Sequence, residues 1–339
     1  MATILTAHER QDVQQEQQHT EARAQASFFH SQLILFNSRK KHGLLYSVAT
    51  AAGLFCILPG ILGVMGSEVE IHLLLQSTIP LPFITLMITV GMFILNDLVD
   101  VDLDKANSKN RPIPSGLVSK KQAWSFIILT NGAAVGMLTL IVTLNLANTI
   151  LVVPMILIGI LYSMPKKIAF MNRFLLKNIS ISLFYVFCIM LGISSSYGIE
   201  LTVNNPVGPI HIMAISGIMI FVGSIVNDLG DTKGDRAAGR RTIPIVLGGE
   251  KTIKMLIMLL GSMPVISWML YGTFLGHDDA ISIMTPIAVT IAATLALFRM
   301  RSIWKVFEDM KLMRVQHKKW FPLYIVLQAG IVVGSNLPL

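Results

Sequence analysis

Nine apolar runs separated by short polar spacers set the pattern of the chain. They fall at about 43–65, 78–96, 122–143, 147–163, 178–197, 208–227, 252–273, 282–298 and 321–337. Each is long enough to cross, or nearly cross, a hydrocarbon core of about 30 Å as an α-helix. In hydrocarbon every backbone polar group must be satisfied within the segment or its neighbours, so apolar runs of this length are read as helices. The pattern therefore predicts an all-α, polytopic membrane protein with nine transmembrane helices.

The ends of the chain read differently. Residues 1–26 are polar and Gln-rich (Gln11, Gln14, Gln15, Gln17, Gln18) and lack the early apolar core of a signal peptide. They are expected to form a disordered cytoplasmic tail. Residues 27–42 carry Phe28, Phe29, Leu33, Ile34 and Phe36 ahead of Arg39, Lys40 and Lys41. This stretch is either a short interfacial helix or the start of the first membrane helix. Residues 43–339 form the nine-helix domain.

Composition agrees with the pattern. Hydrophobic residues make up 53% of the chain and charged residues 14%, against roughly 25% charged in soluble domains. The formal net charge of +8 does not call for nucleic acid, because topology explains it. All 27 Lys and Arg lie on the N-terminal segment and on the second, fourth, sixth and eighth spacers. The other spacers carry only Glu68, Glu70, Glu200, Asp278 and Asp279, or no charge at all. By the positive-inside rule the basic face is cytoplasmic, in a cell membrane if the source is prokaryotic. The two cysteines, Cys56 and Cys188, lie inside apolar runs, which argues against a disulfide framework or a zinc site.

Two stretches break the apolar pattern with acid. One runs Asn96-Asp97-Leu98-Val99-Asp100-Val101-Asp102-Leu103-Asp104, the other Asn227-Asp228-Leu229-Gly230-Asp231-Thr232-Lys233-Gly234-Asp235. In each, an Asn-Asp pair is followed by Asp three and then seven positions on. On a helix that spacing puts three carboxylates on one face. Asp102 falls off the face and reads as a solvated bystander. Like charges on one face are unfavourable, and an Asp deeper in the membrane costs about 2.5–3.5 kcal/mol or more. A divalent cation would offset this. Mg²⁺ takes carboxylate oxygen and shares its shell with substrate phosphates. Two facing rows, Asp97, Asp100, Asp104 and Asp228, Asp231, Asp235, could therefore hold Mg²⁺, two ions in all, around one diphosphate.

Basic and polar residues stand ready to complete such a site. Arg111-Pro112-Ile113-Pro114 follows the first row and Arg241-Thr242-Ile243-Pro244 the second, so the chain looks like two pseudo-repeated halves. Arg111 and Arg241 can pair with diphosphate oxygens or orient the carboxylates. Tyr162, Lys166 and Lys167 lie in or beside the spacer between the rows, on the same face. Those lysines also serve as topology anchors. Asn96 opens the first acidic stretch. Asn178 opens the fifth span, where it is either a site residue or a helix-packing contact.

These residues carry a resemblance. Asn96-Asp97-x-x-Asp100-x-x-x-Asp104 and Asp228-x-x-Asp231-x-x-x-Asp235 resemble the paired motifs of the UbiA superfamily of intramembrane prenyltransferases. Asn110-Arg111-Pro112-Ile113-Pro114-Ser115-Gly116 and Gly234-Asp235-Arg236 with Thr242-Ile243-Pro244 resemble the digeranylgeranylglyceryl-phosphate synthase and homogentisate prenyltransferase branch. The resemblance covers about 43–337. It implies a nine-helix bundle around a central cavity, with Mg²⁺ on a prenyl diphosphate and the prenyl tail in an apolar channel open to lipid. It also implies diphosphate contacts at Arg111, Tyr162, Lys166 and Lys167, and an apolar or amphipathic acceptor. An Asp of the second row could act as base toward that acceptor. A terpene cyclase on the same scaffold would need the same carboxylates. A transporter would place its acids near the midplane, not at helix ends.

Overall fold

The structure is a computed structural model that describes residues 28–64, 68–106, 111–141, 146–163, 174–194, 206–275 and 281–336. These residues form thirteen helices. They are α1 (Phe28–Val64), α2 (Glu68–Thr78), α3 (Pro80–Val99), α4 (Val101–Ala106), α5 (Lys120–Ile141), α6 (Leu146–Ser163) and α7 (Leu176–Ile193). Then come α8 (Val207–Ala237), α9 (Ile243–Leu247), α10 (Gly249–Phe274), α11 (Met284–Trp304), α12 (Met310–Lys318) and α13 (Phe321–Asn336). Among the described residues, seven segments are long and apolar enough to cross a membrane: Leu74–Val99, α5, α6, α7, α8, α10 and α11. The expected first and ninth spans fall on α1 and α13, which pack on each other. The chain is an integral, multi-pass membrane protein. Its outer surface fits that reading: Ile128, Leu140 and Phe298 are 68%, 78% and 66% exposed, a burden a water-facing surface rarely carries in such numbers.

Residues 28–42 belong to the same helix as the residues that follow them. The backbone runs without a break from Phe28 to Val64, so this stretch is continuous with the helix on which the expected first span falls. Leu35, on its inner face, is fully buried with Val90, Ile94, Ile113, Val118 and Phe126. That small core holds the 112–118 turn against α1, α3 and α5. The tail at 1–26 lies outside the described residues.

Small and polar residues set the helix contacts, as expected where the hydrophobic effect does not drive helix association. Helices α1 and α7 run in the same direction and cross at Gly53 and Gly192. A Cβ at Gly53 would strike the Ile189 carbonyl, and one at Gly192 the Thr50 carbonyl. The backbones touch there because only glycine leaves the room. Each glycine is 14 or 15 residues from the basic end of its helix, roughly 20 Å by helical rise, where Arg39 and Lys177 stand. Single polar pairs fasten the other contacts. Thr50 and Thr85 hydroxyls lie 2.8 Å apart between α1 and α3. Asn178 donates to Ser224 at 2.9 Å between α7 and α8, and Gln328 to Ser216 at 2.8 Å between α13 and α8. Apolar packing around Tyr46, Phe184, Tyr185, Met219 and Leu256 fills the space between them.

Candidate active site

Both acidic stretches lie at the ends of long apolar helices, on the face that carries the basic residues. The first row is not one helix. Helix α3 ends at Val99, Asp100 caps it at φ −91°, ψ 16°, and α4 restarts at Val101. Backbone bonds from Asp100 to Asn96 (2.9 Å) and from Asp104 to Asp100 (2.8 Å) carry helical spacing across the break. Asp97, Asp100 and Asp104 therefore share one buried face, while Asp102 is exposed. The second row lies within the unbroken helix α8, and Asp228, Asp231 and Asp235 are all buried.

Buried carboxylates persist only when paired, and five cations pair them. Arg39 of α1 grips both oxygens of Asp97, with Nε donating at 2.7 Å to Oδ2. Arg111 donates to Asp97 at 2.6 Å and also to Asp104. Lys177 donates to Asp228 Oδ1, and Asn178 donates to the other oxygen at 3.0 Å. Arg314 of α12 stands 3.7 Å from Asp231. Arg240 donates to Asp100 at 2.6 Å and lies 3.5 Å from Asp235, so it spans the two rows. Burial opposes the charges of Arg111 and Arg240. Asp97 and Asp104 in one case, and Asp100 and Asp235 in the other, more than offset it and raise both above the ordinary arginine value.

Tyr162 is buried within electrostatic reach of Lys177, Asp228, Asp100 and Arg240. Asn96 is buried, with its Oδ1 unpartnered. Beneath the ions lies an aromatic floor. The Arg39 guanidinium sits 5.6 Å from the Phe93 ring centre, and Tyr46 packs 6.1 Å from Phe93 and 5.2 Å from both Phe184 and Tyr185. A separate open groove, lined by Thr232, Lys233, Arg236 and Lys311, lies on the adjoining face of α8 and shares no residue with the carboxylate rows.

The chain matches a known family. A model of the UbiA prenyltransferase family covers residues 43–315. The chain belongs to the UbiA prenyltransferase family. A digeranylgeranylglyceryl phosphate synthase of Methanoculleus marisnigri is 27% identical over 200 residues, 58% of this chain and 66% of the relative. The same enzyme of Thermococcus sibiricus is 30% identical over 202 residues, 59% of this chain and 67% of the relative. The matches thus span about two thirds of those relatives. In fold, the chain is similar to a UbiA homolog from Archaeoglobus fulgidus bound to GPP and Mg²⁺, with a TM-score of 0.60 and 17% identity over 88% of this chain and 99% of the other.

Within this UbiA-family bundle, Arg241 is not where the repeat pattern puts it. Arg241 is exposed, and its neighbour Arg240 takes the inward position. The cause is the turn that ends α8. Gly239 adopts φ +71°, Gly239 N–H donates to the Arg236 carbonyl and Arg240 N–H to the Asp235 carbonyl. This is a Schellman turn, and it folds residue 240 back over the row. Lys166 and Lys167 lie outside the described residues. Arg39, Lys177, Arg240 and Arg314, counted in the sequence only as topology charges, all pair with the carboxylate rows.

The geometry separates Asp102 from its neighbours. Asp102→Asn should leave most activity in place, whereas Asp100→Asn, which removes the charge of one of Arg240's two partners, should lower turnover by at least roughly tenfold. Turnover of a prenyl diphosphate measures both. Equal losses would mean that burial does not mark the working face.

Proposed function

We propose that the chain transfers a polyprenyl group, such as geranylgeranyl, from its diphosphate to an acceptor within the membrane, with Mg²⁺ bound by the two carboxylate rows. The observation that carries this reading is the meeting of six buried carboxylates from two distant helix ends, interleaved with five cations, at the polar edge of an apolar bundle. A transporter fits poorly, because these acids stand at helix ends rather than mid-span.

The donor set suits a hard divalent cation, being all carboxylate and amide oxygen. Asp235 Oδ2 and Asn96 Oδ1 are buried without a partner, as spare ligand atoms would be. Among the described residues no three acidic side chains converge on one point, and the cations stand between them. Loading then requires the cations to turn from carboxylate toward diphosphate. Six carboxylates against five cations leave the site slightly negative, and a diphosphate adds more, so two divalent ions suit it better than one. Mg²⁺ would supply charge compensation for the leaving diphosphate.

The protein's own residues do the rest. Arg111, Lys177 and Arg240, with Tyr162 and Asn178 beside them, present donors to diphosphate oxygens. Phe93 and Tyr46 give the developing allylic cation an aromatic face. Tight packing around them limits capture by water. One Asp of the second row takes the acceptor's proton. The sequence likeness to digeranylgeranylglyceryl phosphate synthases supports a glyceryl lipid phosphate as acceptor ahead of an aromatic ring. The excess of Lys and Arg on the site's face supports a cytoplasmic opening, in the cell membrane of a prokaryote.

The test is an acceptor screen with labelled geranylgeranyl diphosphate and purified protein in nanodiscs, read by mass spectrometry. A prenylated glyceryl lipid phosphate that forms only with Mg²⁺ and acceptor is the expected result. A hydrocarbon formed without acceptor would make the protein a terpene cyclase. No Mg²⁺-dependent consumption would overturn the reading.

A further inference from the structure

Arg240 lies outside the aspartate motifs, yet its guanidinium touches a carboxylate of each row. It donates to Asp100 at 2.6 Å and stands 3.5 Å from Asp235, although 140 positions separate it from Asp100. Its backbone is fixed by the same row that its side chain serves. Arg240 N–H donates to the Asp235 carbonyl at 2.9 Å, and Gly239 supplies the left-handed residue of that turn at φ +71°. The other oxygen of Asp235 is buried and unpartnered. One carboxylate thus holds Arg240 through one oxygen and keeps the other clear of hydrogen bonds.

We propose that Arg240 is a positioning residue that holds the two carboxylate rows together and turns onto the diphosphate as metal enters, so that divalent cation and diphosphate bind as a pair. This rests on the diphosphate-and-metal reading above. A cation arriving alone competes with the guanidinium for Asp100 and Asp235. To win, it must strand a largely buried arginine, which is unfavourable. A diphosphate arriving with the cation removes that penalty, because it offers the guanidinium a forked pair of acceptor oxygens. A lysine keeps the charge but not the fork, so it holds one row at a time.

Full-length protein in nanodiscs, equilibrated with Mn²⁺ alone and then with Mn²⁺ plus inorganic pyrophosphate, tests this by equilibrium dialysis, which reads protein-bound Mn²⁺ against a protein-free compartment holding the same Mn²⁺–pyrophosphate mixture. In the wild type, pyrophosphate should raise Mn²⁺ affinity by at least about tenfold, a coupling of ordinary allosteric size. Arg240→Ala frees Asp100 and Asp235, so it should bind Mn²⁺ alone more tightly, by roughly tenfold, and lose most of the gain from pyrophosphate. Arg240→Lys should fall between the two. Gly239→Ala meets no neighbour at its new Cβ and keeps all charges. It strains only the turn, and should shift Mn²⁺ binding in the same direction as Arg240→Ala. If Arg240→Ala does not fold, by size exclusion, the other two variants decide. Unchanged coupling in the variants, with normal coupling in the wild type, overturns the role of Arg240 alone. Absence of pyrophosphate-coupled Mn²⁺ binding in the wild type overturns the functional reading beneath it.

Discussion

Asp97→Asn and Asp228→Asn should each lower turnover of a prenyl diphosphate by about 10³-fold or more, although 131 positions separate them. Asp97 holds Arg39 and Arg111, and Asp228 holds Lys177 and Asn178. Each carboxylate therefore organises one half of the cradle around the leaving group. Asparagine keeps the shape and can still accept a hydrogen bond, but it removes the charge that would balance a metal ion. Residues that act as a unit are grossly non-additive when removed together. The double variant should be little worse than either single, not the product of two defects. Single-turnover kinetics with saturating Mg²⁺ measure all three. Normal turnover and Mg²⁺-dependent diphosphate binding in Asp228→Asn would remove the second row from the site and end the two-row mechanism.

Much of this site can be read from periodicity. The three-then-four spacing of both rows is a helical spacing, and it survives the break at Asp100 because the backbone bonds on either side keep the register. Nine apolar runs and one-sided basic charge point to a polytopic helical bundle, and seven of the runs fall on helices long enough to span. The partners of the carboxylates were harder to see, for two different reasons. Arg39 has a sequence signal of a kind. It continues the buried face of α1 at positions 39, 42, 46 and 49, where Tyr46 and Ala49 are buried. Counted as a charge flanking a membrane span, it loses that meaning. Arg240 has no periodic signal. A glycine turn after the helix sets its direction, and side-chain spacing carries no information across such a turn. Repeat matching therefore favours Arg241, which sits beside the Thr-Ile-Pro that mirrors Pro-Ile-Pro.

Lys177 offers the sharpest separation of folding from chemistry. It is the second residue of α7, where the helix dipole disfavours a cation, and it is 6% exposed. Asp228, its partner, is 0% exposed. Neither charge is tolerable alone. Lys177→Met should destabilise the protein by about 3–5 kcal/mol, the usual consequence of stranding one half of a buried pair. Adding Asp228→Asn should recover most of that loss, because it removes the stranded charge while Asn178 keeps an oxygen to donate to. Equilibrium unfolding by SDS in mixed micelles reads both. The double variant should then be folded and inactive, since it lacks a cation for the diphosphate and a carboxylate for the metal. If Lys177→Met is as stable as wild type, the pair is not a buried ion pair as described. If the double variant folds and turns over normally, the Lys177–Asp228 pair serves packing alone, and the diphosphate must be held by Arg111, Arg240 and metal on the remaining carboxylates.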